Sequence, residues 1–284
     1  MNLRGKVCIV TGANSGVGKE TAAALAADGA TLVMACRNAE KSKPVLEEVR
    51  ARSNSKNVEL LLLDLASTES VHQFAEEFRK KYGKLDILIN NAGLYKKERE
   101  MTRNGMETQF QTNHLGPFLL TNLLLDLLKK SAPARIVNVS SEGHRLGFLH
   151  FDNLQGERIW NGWLQYCTTK LENILFTLEL AKRIQGTGVT ANSLHPGPVN
   201  SGFAVGEVPA ALHRIAQFFM ISPQEGAKTS LYAATSPEME GVTGRYLAKS
   251  RIAKEARKAQ NAQAAARLWQ ISEELSGLKK AAAA

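Results

Sequence analysis

The residues Thr11-Gly12-Ala13-Asn14-Ser15-Gly16-Val17-Gly18 decide the fold of this 284-residue chain. An apolar, β-branched run at 7–10 precedes them and an alanine-rich helical pattern at 20–28 follows, which indicates a strand, a glycine turn and a helix. This arrangement aims backbone N–H groups and the positive end of a helix at one point, where a pyrophosphate can bind. A glycine run alone often serves only a turn or close packing, but between a strand and a helix it predicts nucleotide binding.

Composition and charge exclude several classes of protein. The net charge is +9, and the segment from Lys249 onward, with eight Lys and Arg against three Glu, supplies +5 of it. We interpret that segment as a solvated basic helix and predict no nucleic-acid partner. No apolar run approaches the ~20 residues that span a bilayer, and no signal-peptide pattern is seen, which predicts a cytoplasmic protein without a membrane partner. Cys8, Cys36 and Cys167 form neither a disulfide framework nor a metal-ligand spacing, so no metal is expected.

Strand-like and helix-like patterns alternate along the chain. The strand candidates are short apolar runs at 6–10, 31–36, 58–63, 87–90, 135–139, 189–194 and 245–247. The helix candidates are 16–28, 40–53, 67–82, 104–130, 163–185 and 223–235. The alternation predicts one α/β domain at 1–250, a Rossmann-like, doubly wound parallel sheet of about seven strands with helices on both faces. A C-terminal helical extension at 251–278, with its helix at 253–275 docked by Leu268, Ile271 and Leu275, and a disordered tail at 279–284 should follow.

Small and polar residues follow most of these strands. Because the carboxyl ends of parallel strands share one edge of a sheet, we expect them to form one ligand crevice. After the second strand, where a carboxylate would hold a ribose 2′-hydroxyl, the chain has Arg37, which can accommodate a 2′-phosphate. Lys19 adds a second cation, so the sequence predicts NADP(H) as the cofactor. Asp64, after the third strand, could accept a hydrogen bond from the adenine amino group or cap the next helix.

Tyr166 and Lys170 lie one turn apart on a predicted helix, and therefore on one face of it. A tyrosine with a pKa of ~10 is a poor acid or base at neutral pH, but a nearby ammonium group should lower that pKa. The pair could then exchange a proton with a carbonyl or alcohol oxygen held by Ser141, which follows the fifth strand. The Tyr-x-x-x-Lys spacing alone is more often a surface pair.

Asn113 lies in a predicted helix and is followed by a Gly-Pro pair. The pair should disturb the helix, which can then hold a carbonyl or a water.

Together these motifs resemble the short-chain dehydrogenase/reductase family over residues 6–247. The matching motifs are the glycine turn at 11–18, Asn-Asn-Ala-Gly at 90–93, Asn113, Ser141, the Tyr166–Lys170 pair, and His-Pro-Gly-Pro-Val at 195–199. The resemblance implies a catalytic tetrad of Asn113, Ser141, Tyr166 and Lys170. It implies further that Lys170 binds the nicotinamide ribose and that the loop with Pro196, Gly197 and Val199 holds the carboxamide. The predicted cofactor-binding residues are Gly12, Asn14, Ser15, Gly16, Val17, Gly18, Lys19, Arg37, Asp64, Leu65, Asn91, Ala92, Gly93, Tyr166, Lys170, Pro196, Gly197 and Val199.

Three stretches are similar to the retinol dehydrogenase and WW-domain oxidoreductase branch of that family: 35–38, 113–121 and the long segment between Ser141 and Tyr166. Many retinol dehydrogenases have a membrane-anchoring N-terminal segment that this sequence lacks, which predicts a soluble relative. Residues 200–202 read Asn-Ser-Gly where many relatives have a threonine for the cofactor phosphate, and Ser201 is the candidate replacement. The family also implies a homodimer or homotetramer through the helices at 104–130 and 163–185.

The sequence therefore predicts an oxidoreductase that interconverts a carbonyl and an alcohol on a hydrophobic small molecule, with Tyr166 as general acid and base. Loops at 142–164 and 199–222 should wall the substrate pocket. Their apolar members are Leu146, Phe148, Phe151, Trp160, Trp163, Phe203, Val205, Leu212, Ile215, Phe218 and Phe219. These residues could instead belong to the core or to a dimer contact, and 210–219 could form a helix at a membrane surface. The alternative function is a cofactor-binding redox sensor or interaction protein with little turnover.

Overall fold

One eight-stranded sheet organises the computed structural model, which describes residues 2–199 and 221–278. Its strands are β1 (Val7–Thr11), β2 (Thr31–Cys36), β3 (Val58–Leu62), β4 (Ile87–Asn90), β5 (Ala134–Val139), β6 (Val189–His195), β7 (Tyr246–Ala248) and β8 (Arg251–Ile252). Their order is β3-β2-β1-β4-β5-β6-β7-β8, and every neighbouring pair is parallel except β7 with β8. The predicted doubly wound parallel sheet is confirmed, and each of its seven predicted strands ends within one residue of the observed limit.

The eighth strand was not predicted. Lys249 and Ser250 both have a φ of 53°, and two successive left-handed residues make the tight turn that joins β7 to β8 in a hairpin. Neither residue is a glycine, so no turn signal marks this point in the sequence. The sheet consequently continues beyond residue 250, where the domain was expected to end.

Helices cover both faces of the sheet. They are α1 (Gly16–Ala27), α2 (Ala39–Ser53), α3 (Thr68–Lys81), α4 (Thr108–Phe110), α5 (Gly116–Leu123), α6 (Leu125–Lys130), α7 (Gly162–Arg183), α8 (Pro223–Thr235) and α9 (Ala262–Ser276). Side chains that alternate along each strand enter two separate cores. In β1, Ile9 packs with α3, α5 and α7, whereas Cys8 and Val10 pack with α1, α2 and α8.

The helix predicted at 104–130 is divided into four elements in the structure: α4, a π-helical turn, α5 and α6. It begins only at Thr108, because the Glu107 carboxylate caps it by accepting hydrogen bonds from the backbone N–H groups of Gln109 and Phe110, both at 2.7 Å. Residues Gln111–Leu115 then form a π-helical turn before α5 begins at Gly116. The predicted helix was therefore wrong in its continuity, although the disturbance expected near the Gly-Pro pair is present.

The C-terminal helix also begins later than predicted, at Ala262 rather than at 253. Asn261 caps it, since its side chain accepts a 3.0 Å hydrogen bond from the backbone N–H of Ala264. The helix docks on α7 and α5 as expected: Leu268 is buried, and Ile271 and Leu275 are half-buried against the same cluster. Residues 253–261 instead lead from β8 to the helix through a short 3-10 turn, Arg257–Gln260.

Helix α9 covers the helices that the sequence offered as an oligomer interface. Trp269 lies between them, with its ring centroid 4.9 Å from that of Phe118 on α5 and 5.8 Å from that of Phe176 on α7. The Arg183 guanidinium lies 4.3 Å above the same indole ring. Much of the predicted interface is thus already buried within one chain.

The described residues show two further features of the whole fold. None of the helices within 2–199 and 221–278 is both long and apolar enough to cross a membrane. Over the same ranges, no group of three or more His, Cys, Asp and Glu side chains could hold a metal ion.

Candidate active site

The glycine turn after β1 is held against the loop after β4. Gly12 has a φ of +66°, a left-handed conformation that favours glycine. The Thr11 hydroxyl accepts hydrogen bonds from the N–H groups of Asn91 and Ala92 at 3.0 and 2.9 Å, and the Asn91 amide donates to the Thr11 carbonyl at 2.9 Å. A methyl group on Gly18 would lie 2.4 Å from the Asn91 amide nitrogen, so only glycine allows this approach. The two predicted motifs therefore form one unit.

The N-terminus of α1 has the features that a pyrophosphate requires. Ser15 is its N-cap in extended conformation, and the Ser15 side chain makes no capping hydrogen bond. The first-turn N–H groups of α1 therefore lack a side-chain cap, and they carry the positive end of the helix dipole. Gly16 and Val17, at the start of the helix, were predicted to line the same site. The residues present thus fit a dinucleotide phosphate group.

The two cations predicted to meet a 2′-phosphate differ in their surroundings. Arg37 is exposed directly after β2, whereas Lys19 forms a 2.8 Å ion pair with Glu48. Glu48 also pairs with Arg52 at 3.3 Å, and Arg52 binds the buried Glu20 at 2.5 Å. A phosphate at Lys19 would therefore share the ammonium group with Glu48, whereas no carboxylate among the described residues pairs with Arg37.

Asp64 and Leu65 lie at the same sheet edge, after β3. Asp64 does not cap α3, as one of the two interpretations proposed: Ser67 does, accepting a 3.2 Å hydrogen bond from the Ser70 N–H. The Asp64 carboxylate instead accepts a 3.0 Å hydrogen bond from the Ala66 N–H. The Leu65 carbonyl accepts a 3.3 Å hydrogen bond from the Gln111 side chain, which attaches this loop to the π-helical turn.

Asn113 lies within the π-helical turn, a distortion that is frequent at functional sites. Its amide oxygen accepts a hydrogen bond from the Leu94 N–H at 2.8 Å, and its amide nitrogen donates to the Leu94 carbonyl at 2.9 Å and to the Thr169 hydroxyl at 3.1 Å. Asn113 therefore connects the loop after β4 to α7. Thr169 was not predicted, although it lies between Tyr166 and Lys170 in the sequence.

Lys170 is buried and reaches the end of β5. Its ammonium group donates a 3.2 Å hydrogen bond to the Val139 carbonyl and lies 5.5 Å from the centroid of the Tyr166 ring. A methyl group on Gly93 would lie 3.1 Å from the Lys170 nitrogen and 3.4 Å from the Asn113 amide oxygen. Burial lowers the pKa of Lys170 to about 8. The structure thus brings Asn113, Lys170 and the loop after β4 together.

Tyr166 and Ser141 complete the predicted tetrad. Burial raises the pKa of the Tyr166 phenol, and a hydrogen bond with the Ser141 side chain opposes that rise. The expectation that Lys170 lowers this pKa is therefore wrong for the protein alone, because removal of the phenol from water is the larger effect. The Ser141 hydroxyl accepts a 3.1 Å hydrogen bond from the Gly143 N–H in the 3-10 turn Glu142–Arg145.

Aromatic side chains flank Tyr166 on the outer side. The Trp163 ring stacks on the Tyr166 ring with centroids 5.6 Å apart, and Tyr95, which was not predicted, meets the Tyr166 ring edge-on at 6.5 Å. Leu146 and Phe148 are exposed, with 54% and 59% of their surface accessible. Trp163 and Tyr95 thus form an aromatic surface against the Tyr166 ring, and Leu146 and Phe148 add exposed apolar side chains in the segment after Ser141.

Two other predicted wall residues have structural contacts. Phe151 packs in the core cluster beneath α9, with the Arg267 guanidinium 4.2 Å from its ring. The Trp160 indole donates a 3.2 Å hydrogen bond to the Lys97 carbonyl. The second predicted wall, which contains Phe203, Val205, Leu212, Ile215, Phe218 and Phe219, lies outside the described residues, as does Ser201.

The loop with Pro196, Gly197 and Val199 follows β6 at the same edge of the sheet. Its conformation is held by a 2.8 Å hydrogen bond from the Ile221 N–H to the Pro198 carbonyl. All the predicted site residues therefore follow the carboxyl ends of β1 to β6 or lie on the adjacent helices. This is the crevice in which open parallel sheets bind ligands.

Comparison with known proteins agrees with this geometry. The family model for short-chain dehydrogenases matches residues 6–210. The chain belongs to the short-chain dehydrogenase family. It is similar to retinol dehydrogenase 11 of Mus musculus, with 46% identity over 279 residues that cover 98% of this chain and 88% of that protein. It is also similar to human retinol dehydrogenase 14 (Homo sapiens), with 43% identity over 297 residues and the same two shares, 98% and 88%.

Solved structures share the fold of this short-chain dehydrogenase. An uncharacterized protein from Mycobacterium paratuberculosis superposes with a TM-score of 0.80 at 33% identity, covering 97% of this chain and 95% of that one. Pseudomonas aeruginosa RhlG, in an active-site complex with NADP, superposes with a TM-score of 0.71 at 24% identity, covering 87% and 95%. The second likeness shows the fold alone. The family and its retinol dehydrogenase branch identify this protein as an oxidoreductase that acts between alcohols and carbonyls.

Proposed function

We propose that the protein uses NADP(H) to interconvert an aldehyde or ketone and the corresponding alcohol on a hydrophobic small molecule, with Tyr166 as general acid and base. The observation that carries the proposal is the convergence of three groups at one sheet edge. The Tyr166 phenol interacts with Ser141, and the Lys170 ammonium lies 5.5 Å from the Tyr166 ring. The residues at the N-terminus of α1 fit a dinucleotide beside them.

Each residue has a defined part in carbonyl reduction. The nicotinamide cofactor, when bound, supplies the hydride that reaches the carbonyl carbon. Tyr166 gives its phenolic proton to the carbonyl oxygen as negative charge develops there, and it takes the proton back in the reverse direction. The Ser141 hydroxyl holds the same oxygen by a hydrogen bond. The Lys170 ammonium, 5.5 Å from the centroid of the Tyr166 ring, would stabilise the tyrosinate that remains by its positive charge.

The preference for NADP(H) follows from the end of β2. No carboxylate follows Cys36 at the position that would bind a free ribose 2′-hydroxyl and repel a 2′-phosphate. Arg37 is exposed at that place and can form charge-assisted hydrogen bonds with a phosphate. These observations support NADP(H) over NAD(H).

The proposed substrate is apolar and uncharged around its reacting carbonyl. Trp163 is exposed and stacks on the Tyr166 ring, and Leu146 and Phe148 are exposed apolar side chains in the segment that follows Ser141. Lys258, the cation beside Phe148, is engaged: its ammonium lies 4.5 Å from the Phe148 ring centroid and 2.5 Å from the Gly147 carbonyl oxygen to which it donates a hydrogen bond. An apolar wall with few polar anchors is the usual composition of a small-molecule pocket.

The first experiment measures oxidation of NADPH and NADH by the purified protein with aldehydes of increasing chain length and matched carboxylate-bearing aldehydes. The ratio kcat/KM should increase with chain length, because each buried methylene contributes about 0.8 kcal/mol.

Tyr166→Phe should reduce kcat by about 10²–10⁴-fold with NADPH binding retained, since it removes the proton donor without changing the shape of the ring. A preference for charged aldehydes would overturn the substrate proposal. NADPH binding without turnover of any carbonyl would favour the redox-sensor alternative.

A further inference from the structure

The 3-10 turn that follows Ser141 places a histidine over the serine carbonyl. The turn spans Glu142–Arg145, and a 3-10 turn brings a residue back over the one three positions before it. His144 is fully buried, and its ring nitrogen Nδ1 lies 2.7 Å from the Ser141 carbonyl oxygen. No role for His144 followed from the sequence motifs.

The other ring nitrogen of His144 reaches the C-terminal segment. The backbone N–H of Ala256 donates a 3.0 Å hydrogen bond to His144 Nε2. Since Nε2 accepts, the proton of the neutral ring is on Nδ1, and Nδ1–H donates to the Ser141 carbonyl. The imidazole therefore bridges two backbone groups that are 115 positions apart, and only one tautomer of the neutral ring can do so.

Two further contacts hold the same turn to the end of the chain. The Tyr246 hydroxyl on β7 donates a 2.7 Å hydrogen bond to the Glu142 carboxylate, and the Tyr246 ring lies 5.0 Å from the His144 ring. Arg145 donates to the same carboxylate at 2.5 Å and to the Lys254 carbonyl at 2.7 Å. The turn is thus fixed on both sides of His144.

We propose that His144 is a positioning residue, whose bridge between the Ser141 carbonyl and the Ala256 amide fixes the Ser141 hydroxyl against Tyr166. This inference rests on the proposed function, in which Ser141 holds the reacting oxygen. The path is short: His144 holds the Ser141 backbone, and the Gly143 N–H of the same turn donates to the Ser141 hydroxyl at 3.1 Å. A shift of the turn moves that hydroxyl relative to Tyr166.

Protonation of His144 would break the bridge, because an imidazolium has no lone pair to accept the Ala256 N–H. Burial is the main cause that lowers the pKa of His144, and Arg145 acts in the same direction. The charges of Glu142 and Glu255 oppose this lowering of the His144 pKa. The other titratable groups near the His144 ring are His195 on β6 and the Tyr246 hydroxyl. The neutral, bridging ring is therefore the form at neutral pH.

Two substitutions separate the two ends of the bridge. His144→Asn keeps a donor near the position of Nδ1, and His144→Gln keeps an acceptor near the position of Nε2 but lacks the donor to the Ser141 carbonyl. We expect kcat to fall on the order of tenfold in His144→Gln and less in His144→Asn, with KM for NADPH unchanged in both. His72→Asn, at an exposed histidine of α3, is the control and should match the wild type.

A double-mutant cycle tests whether His144 acts through Ser141. In a Ser141→Ala background, His144→Gln should change kcat by less than about twofold, because the hydroxyl that it positions is already absent. Multiplicative losses would overturn the proposal. An inactive wild type would overturn the proposed function and this inference with it, whereas an active wild type with multiplicative losses would overturn the inference alone.

The tautomer gives a readout that does not depend on activity. Long-range ¹⁵N–¹H NMR spectra of the cofactor-free protein at pH 7 should show one buried histidine as the neutral Nδ1–H tautomer, and its signals should be absent from His144→Asn. A His144 ring that is protonated, or that carries its proton on Nε2 at pH 7, would contradict the bridge.

Discussion

Arg37 and Lys19 are both cations near the predicted cofactor phosphate, but they differ in whether a carboxylate already pairs with them. Arg37 is exposed, and no carboxylate among the described residues pairs with it, whereas Lys19 already pairs with Glu48 at 2.8 Å. A bound 2′-phosphate therefore competes with a carboxylate at Lys19 but not at Arg37. The sequence could place both cations near the cofactor, but it could not distinguish them, because Glu48 lies on the next helix.

Arg37→Ala should increase KM for NADPH about tenfold or more and leave KM for NADH nearly unchanged. The reason is the loss of charge-assisted hydrogen bonds worth roughly 1.5–3 kcal/mol. Lys19→Ala is the matched control, and it should have a smaller effect because its charge is already paired. Steady-state kinetics with both cofactors measure the difference. Equal losses with NADPH and NADH would contradict a 2′-phosphate contact.

Gly93 tests the packing between the loop after β4 and the catalytic groups. Gly93→Ala would place a methyl group 3.1 Å from the Lys170 nitrogen, which must then move by a few tenths of an ångström, and in van der Waals contact with the Asn113 amide oxygen at 3.4 Å. We expect kcat to fall on the order of tenfold with little change in thermal stability. Gly83→Ala, where a methyl group meets nothing within 4 Å, is the control. Unchanged kcat in Gly93→Ala would show that the loop does not constrain Lys170.

At the scale of elements, seven of the eight strands were predictable, whereas the start of α4 after Glu107 and the hairpin between β7 and β8 were not. Seven strands could be predicted from short apolar runs, because a strand that is buried on both faces consists mostly of consecutive apolar residues. The hairpin turn depends on left-handed backbone conformations that residues such as Lys249 and Ser250 rarely adopt, and the helix start depends on the Glu107 side chain, which accepts hydrogen bonds from the first turn of α4. Within the site, the resemblance to the family's motifs singled out Tyr166, Lys170, Ser141 and Asn113, whereas the contact of His144 with Ala256 joins residues that no motif connects.

Helix α9 should contribute to stability through Trp269. Trp269→Ala removes a buried side chain that contacts Phe118 and Phe176, and such substitutions cost about 3–5 kcal/mol. Gln270→Ala, at the adjacent exposed position, should leave stability unchanged within about 0.5 kcal/mol. Urea unfolding measures both variants. A small loss in Trp269→Ala would show that α9 is only loosely docked.

For the whole molecule, the buried carboxyl group of Glu172 should set part of the pH dependence of stability. Both of its oxygens lack a hydrogen-bond partner among residues 2–199 and 221–278, and burial together with the charge of Glu107 raises its pKa well above the usual value. Glu172 is therefore neutral in the folded protein at pH values where it is ionised in the unfolded chain. Above pH ~4.5 the ionisation of Glu172 in the unfolded chain lowers the free energy of unfolding. This destabilisation disappears as the pH falls toward 4.5.

Glu172→Gln should consequently be more stable than the wild type at pH 7, because the amide does not ionise in the unfolded chain. The advantage should shrink as the pH is lowered from 7 toward 4.5. Burial lowers the pKa of His114 to about 3, so His114 destabilises the folded state below pH ~6.5. This effect is the same in both proteins and does not change the difference in stability between them. Thermal melting of the two proteins across this range measures the difference. A constant difference would mean that Glu172 is ionised in the folded state.

The docking of α9 on α7 also has a consequence for synthesis of the protein. Roughly 80 residues separate the end of α7 from the start of α9, and at about 5–20 residues per second the ribosome needs roughly 4–16 s to make them. During that interval the helix that bears Tyr166 and Lys170 has no partner for its outer apolar face. The nascent chain therefore presents a chaperone-binding surface that disappears only when α9 has been synthesised and has docked, and termination before Ala262 would leave the surface exposed to proteases.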